Sequence, residues 1–271
     1  MSALVLEQRV ATPQRLDMSP MHELFHERSS VDAAQRLTLR CGRDPIQLGD
    51  VFDVTRGHGD KIVIKTSANN LDRVGAGMSQ GELIVEGDVG HHTGAQMTGG
   101  RINILGHAGD FTASALHGGR IEITGDCGAG LGAPAPGLVQ GMSGGFVHVR
   151  GNCAPRAGER QRRGIILVEG NAGSELGAGM IAGTLIVLGE TGDHPGREMR
   201  RGTLLLDHMP KSLPVTFTDN GIQPLGFLAV LCNELERLQV LPATWTQRKL
   251  STRRFIGDLA CSGKGEVLVW T

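Results

Sequence analysis

The side chains of this chain that could do chemistry are ten histidines, five cysteines, a spaced row of carboxylates and amides, and two pairs of adjacent arginines. Histidine ligation of a metal needs spacings that put two rings on one face, such as HxH, HxxxH or HExxH, and none occurs. His91 and His92 adjoin, while His107, His117, His148, His194 and His208 fall at unrelated places, which reads as exposed corner residues. Cys41, Cys127, Cys153, Cys232 and Cys261 contain no CxxC pair, which excludes ferredoxin-type and zinc-ribbon sites. A phosphate loop needs a strand, a glycine-rich turn and then a helix whose N-terminus receives the anion; here strand-like segments follow one another with no helix between. No residue is therefore assigned a catalytic, cofactor-binding or metal-binding role, and no cofactor is expected.

The remaining polar residues fall into columns. Asp88, His107, Asp126, Asn152, Asn171 and Glu190 recur at one position of a repeating unit. Such a row could bind cations, but Asn and Asp bonding nearby backbone at solvent-facing corners is the simpler account. Cys127 and Cys153 share a column with Val89, Ala108 and Ala172, which marks them as small buried side chains rather than a disulfide. Arg162, Arg163, Arg200 and Arg201 occupy matching columns two units apart, with Arg156, Arg160 and Arg197 nearby. They form either a basic patch for an acidic protein surface or polyanionic ligand, or a solvated face.

The unit that creates these columns begins at Gly81, Gly100, Gly119, Gly145, Gly164, Gly183 and Gly202, with steps of 19, 19, 26, 19, 19 and 19 residues. Two residues after each leading glycine stands an aliphatic residue (Leu83, Ile102, Ile121, Val147, Ile166, Leu185, Leu204), and four after it another (Val85, Ile104, Ile123, Val149, Val168, Val187, Leu206). Apolar residues two apart predict a short β-strand with one face buried, and further glycine columns predict corners. A strand and return path of this length cannot bury a face alone, whereas stacked copies share one core. The expected fold is all-β, a right-handed parallel β-helix of about eight coils of about 19 residues. Met78, Met97, Leu116, Met142, Gln161, Met180 and Met199, three residues before each leading glycine, are expected to stack inside it.

Residues 1–57 are expected to cap the N-terminal end, 58–208 to form the coil, and 209–271 to make a C-terminal cap. In the first cap, LVLEQRV reads as a strand, Pro20 to Arg28 as a short helix, RLTLRC as a strand, and IQLGDVFDVT as two extended pieces hinged at Gly49. The longer step comes from GAPAPGLVQG, a proline-stiffened loop between Leu131 and Met142. Leu225, Leu228, Leu231, Leu235 and Leu238 predict an amphipathic helix over Pro224 to Gln239, stopped by Pro242, and GEVLVWT predicts a last strand. In the last coils the outward column turns aliphatic, at Leu167, Ile186 and Leu205, so the C-terminal helix or another subunit is expected to cover it.

A net charge of −1 implies no general affinity for nucleic acid or an anionic membrane. No apolar run approaches the length of a membrane span and the N-terminus lacks a signal-peptide core, so a soluble cytoplasmic protein is expected. With no Tyr and only Trp245 and Trp270, a β-helical enzyme acting on polysaccharide is disfavoured. A hexapeptide acyltransferase is disfavoured by the step of 19.

The spacing GxxGxxxG in GDVGHHTGAQMTGG (87–100) and GNAGSELGAGMIAG (170–183), with the GDVFDV segment at 49–54, resembles the formylmethanofuran dehydrogenase C-subunit family over the whole chain. The likeness is greatest to the C subunits of bacterial formyltransferase/hydrolase complexes, and the motif is similar to the C-terminal β-helix of the glutamate synthase large subunit. Ala113 and Ala154 depart from the glycine columns, and Gln161 from the Met ladder. The resemblance implies a non-catalytic scaffold in a complex that moves a formyl group between tetrahydromethanopterin, a methanofuran-like carrier and formate. It implies an amidohydrolase-like A subunit, a B subunit and a formyltransferase D subunit as partners, with the metals held by A. The alternative it leaves open is the C subunit of a true formylmethanofuran dehydrogenase.

Overall fold

The computed structural model describes residues 3–25, 30–240 and 251–271. Each repeat contributes one strand: Glu82–Glu86, Arg101–Ile104, Arg120–Ile123, Ser143–Val149, Arg163–Val168, Thr184–Val187 and Arg201–Leu206. They pair in parallel and in chain order, preceded by Lys61–Lys65, so the molecule is a parallel β-helix. Leu83 stands beside Ile102 and Ile102 beside Ile121, and Val85, Ile104 and Ile123 are stacked in the same way. All of these side chains are buried in one continuous interior. A second wall is stitched by single parallel bridges from Val89 through Ala108, Cys127, Cys153 and Ala172 to Thr191.

The leading glycines and the Met ladder fit each other across coils. Every leading glycine has φ between +84° and +107°, outside the well that L-residues occupy. A Cβ at Gly100 would lie 2.8 Å from both the Gly81 carbonyl oxygen and the Met78 Cε; at Gly119 it would lie 2.8 Å from the Gly100 oxygen and 2.7 Å from the Met97 Cε. Each ladder side chain thus occupies the notch that the missing side chain leaves on the next coil. Gln161, fully buried, fills the notch at Gly183 with its amide, donating from Nε2 to the Gly164 carbonyl at 2.9 Å.

Both ends of the long sheet are finished by the flanking segments. Leu4–Gln8 lies parallel to Lys61–Lys65, and Phe52–Arg56 pairs antiparallel on its other side. At the far end Lys264–Trp270 continues the parallel stack on Arg201–Leu206, followed by antiparallel Ser251–Gly257 and Thr218–Pro224. The expected strand at the tail is therefore the next rung, while its two antiparallel neighbours had no periodic signal. A smaller sheet joins Asp44–Gln47, Thr38–Cys41, Leu16–Asp17 and Leu71–Asp72.

The first cap differs from expectation in detail. The two extended pieces expected in IQLGDVFDVT fall in Asp44–Gln47 and Phe52–Arg56, but the hinge at Gly49 is a helical turn, Leu48–Val51. A capping box between Gln47 and Asp50 starts that turn, and Gly49 allows it to press on the Gln35 backbone. A second short helix, Val31–Gln35, is capped by Ser30, whose Oγ accepts the Ala33 N–H. The segment expected as a helix from Pro20 is a 3₁₀ turn, Ser19–Phe25, and the end placed at Arg28 lies outside the described residues.

The C-terminal helix runs over Phe227–Arg237; Pro242 lies outside the described residues. Its Leu228, Leu231 and Leu235 pack on Phe146, Leu167, Ile186, Leu205 and Leu268, forming a second core outside the coil. The aliphatic strip is thus covered by the chain's own helix. No helix among the described residues is long and apolar enough to cross a membrane.

Candidate functional site

The polar column at the corners holds coil to coil. Asp88 Oδ1 accepts the His107 N–H at 2.7 Å, and His107 Nδ1 accepts the Asp126 N–H at 2.9 Å. Asp126 Oδ1 accepts from Asn152, Asn152 Oδ1 from Asn171, and Asn171 Oδ1 from Glu190, each at 2.7–2.9 Å. A parallel row runs from Asp72 through His91 and Asp110 to the Ala129 N–H. These side chains satisfy amides that a tight corner would leave unpaired. Accepting at Nδ1 requires His91 and His107 to carry their proton on Nε2. The Asn152 N–H holds the Asp126 carboxyl below its usual range, against a smaller effect of burial.

Among the described residues, no group of three or more His, Cys, Asp or Glu is placed to hold a metal ion. Cys127 and Cys153 are buried free thiols on adjacent coils. Burial pushes both thiols up, that of Cys153 to about 12. His148 departs from the expectation of an exposed corner. It is 3% exposed on the outward face of its strand, beside Leu167 of the next coil and close to Phe146, with Nε2 bonded to Glu169 Oε1 at 2.6 Å. Burial lowers its pKa, against the opposing Glu169 bond.

The arginine columns do converge. Arg162, Arg163, Arg200 and Arg201 line an open cleft of about 670 Å³ whose floor includes Ile165, Ile181 and Ala182. Lys264 joins them, since it pairs with Arg201 when the tail adds its rung. Sequence reasoning missed this lysine; its position just before the GEVLVWT strand was the available signal. Arg156, Arg160 and Arg197, which the sequence placed near the patch, line a neighbouring depression with Glu159, Glu175 and Glu198, and Arg160 also borders a depression shared with Arg200 and Ile181. In the former, Arg156 meets Glu159 at 2.9 Å and Arg197 meets Glu175 at 2.7 Å. The proline loop leaves Leu138 and Val139 exposed.

Stacked coils with a filled interior and corner side chains occupied by backbone amides define the class: a parallel β-helix, here with an open cationic cleft on its outer face. No family model matches the chain. Over 78 residues it is 40% identical to the C subunit of the formyltransferase/hydrolase complex Fhc of Methylorubrum extorquens, a segment spanning 29% of each protein. Over nearly the whole chain it is similar to a chain in the crystal structure of the formyltransferase/hydrolase complex FhcABCD from Methylorubrum extorquens in complex with methylofuran. The TM-score is 0.89 at 37% identity, covering 98% of this chain and 99% of that one. The chain belongs to the family of formyltransferase/hydrolase complex C subunits.

Proposed function

We propose that this chain is the scaffold subunit of a cytoplasmic formyltransferase/hydrolase complex, placing an amidohydrolase-like A subunit, a B subunit and a formyltransferase D subunit so that a formyl group passes between them. In this reading the carriers are tetrahydromethanopterin and a methanofuran-like molecule, with formate as the released product. The observation that carries the proposal is the similarity, over nearly the full length of both chains, to a chain of FhcABCD. A rigid stack suits the role, because each coil is held to the next by strand pairing, ladder side chains and corner hydrogen bonds. The reading assigns the chain no catalytic, cofactor or metal residue of its own. Residues 1–57 and 209–271 act as end caps of the coil at 58–208, a division supported by the strands that these segments add at the two ends of the long sheet.

Purification from the native cell, followed by identification of what co-elutes, tests this directly. Co-elution with an amidohydrolase-like chain and a formyltransferase is the expected result. Formyl hydrolase or transferase activity in the isolated chain would overturn the scaffold role.

A further inference from the structure

The cationic cleft stands apart from the rest of the charged surface. Its lining carries five cationic side chains and no carboxylate, whereas the neighbouring depression matches arginine with glutamate: Arg156 meets Glu159, and Arg197 meets Glu175 and Glu198. Arg162, Arg163, Arg200, Arg201 and Lys264 are all exposed and none forms an ion pair or a side-chain hydrogen bond with a described residue. The fold holds them there. Arg163 and Arg201 begin strands two rungs apart, roughly 10 Å at the ordinary strand spacing, and Lys264 sits one rung beyond. The intervening rung presents Ile181 and Ala182, an uncharged floor between two cationic banks.

Five like charges fixed along one cleft repel one another in the free chain, and an acidic surface brought against them relieves that repulsion. The exposed stems of the arginines and the apolar floor suit a polypeptide, whose backbone and side-chain carbon can cover the floor while carboxylates meet the banks. We infer that the cleft lined by Arg162, Arg163, Arg200, Arg201 and Lys264 is a docking surface for an Asp/Glu-rich segment of a partner protein in the complex. This inference rests on the scaffold reading and names one surface through which it acts.

The test uses the complete chain co-expressed with its partner subunits. Arg163→Glu/Arg201→Glu is expected to weaken assembly about tenfold or more, with the parent's affinity falling as salt is raised and the variant's falling less. Arg40→Glu/Arg43→Glu, an equal charge change at exposed positions of the N-terminal cap, is expected to leave assembly unchanged. A photo-crosslinking residue in place of Ala182 should capture an Asp/Glu-rich segment of a partner. Assembly with unchanged affinity in the cleft variant, or capture only of neutral or basic segments or of nothing in the assembled complex, would overturn the docking surface while leaving the scaffold role intact. Failure of the parent chain to assemble at all would overturn the scaffold role itself.

Discussion

Replacing Gly119 by alanine tests the fit between neighbouring coils. Gly119 has φ of +89°, and a Cβ there would lie 2.8 Å from the Gly100 oxygen and 2.7 Å from Met97 Cε. The methionine tip can swing aside. The Gly100 oxygen cannot, because it already accepts the Arg120 N–H at 3.0 Å. Holding a side chain in a left-handed conformation costs about 1–2 kcal/mol, and forcing a methyl into a packed site costs about 1–3 kcal/mol more. The gain from a stiffer unfolded chain returns only about 0.4–1 kcal/mol, so a net loss of about 2–4 kcal/mol is expected. Gly77→Ala separates the two costs: φ is +70° and nothing lies within 4 Å of the added methyl, so a loss of about 1 kcal/mol is expected there. Urea unfolding of both variants measures the difference, and amide exchange should show lost protection at Arg120 and Ile121. Equal losses at the two positions would refute the claim that close coil stacking, rather than backbone conformation alone, requires these glycines.

Gln161→Met should restore the ladder. It removes a buried amide oxygen that lacks a partner but forfeits bonds to the Gly164 and Arg163 carbonyls. The opposing contributions leave stability unchanged or raised by up to about 1 kcal/mol, and a fall of more than that in urea unfolding would contradict this accounting. His148 has a folded-state pKa below its ordinary 6.5, so its neutral form is favoured in the fold. Its contribution is fully present above the unfolded value and is lost as pH falls through 6.5 toward the lower folded value. His148→Gln should flatten the stability profile in that window, and an unaltered profile would show that the acid loss arises elsewhere. Thiol labelling of the native protein should modify the exposed Cys261 first and leave Cys127 and Cys153 unreacted until denaturant is added. Native labelling of either buried thiol at the Cys261 rate would mean that the coil opens.

Much of the coil was legible because its information is local and repeated. A strand of alternating aliphatics and a corner glycine recur at fixed places, and stacking identical units has one register that keeps every apolar face inside. The C-terminal helix was legible from leucines on one helical face. The helical turn at Leu48–Val51 was not, because a capping box and the close packing of Gly49 on Gln35 decided it. Sequence columns brought the four cleft arginines together and placed Arg160 beside them, but did not show that Arg156 and Arg197 are matched by glutamates.

By itself, then, the order of residues determined the period, the interior ladders, the inward cysteines and the existence of a covering helix, since each is a pattern of neighbours along the chain. Tertiary structure alone decided that Leu4–Gln8 lies between Phe52–Arg56 and Lys61–Lys65, that the chain's own helix lies over Ile186, and that Lys264 completes the cationic cleft. Those placements join segments far apart in the chain, and which distant edge a strand or helix meets depends on the surfaces left open once the coil has formed. No spacing within the segment itself records that choice.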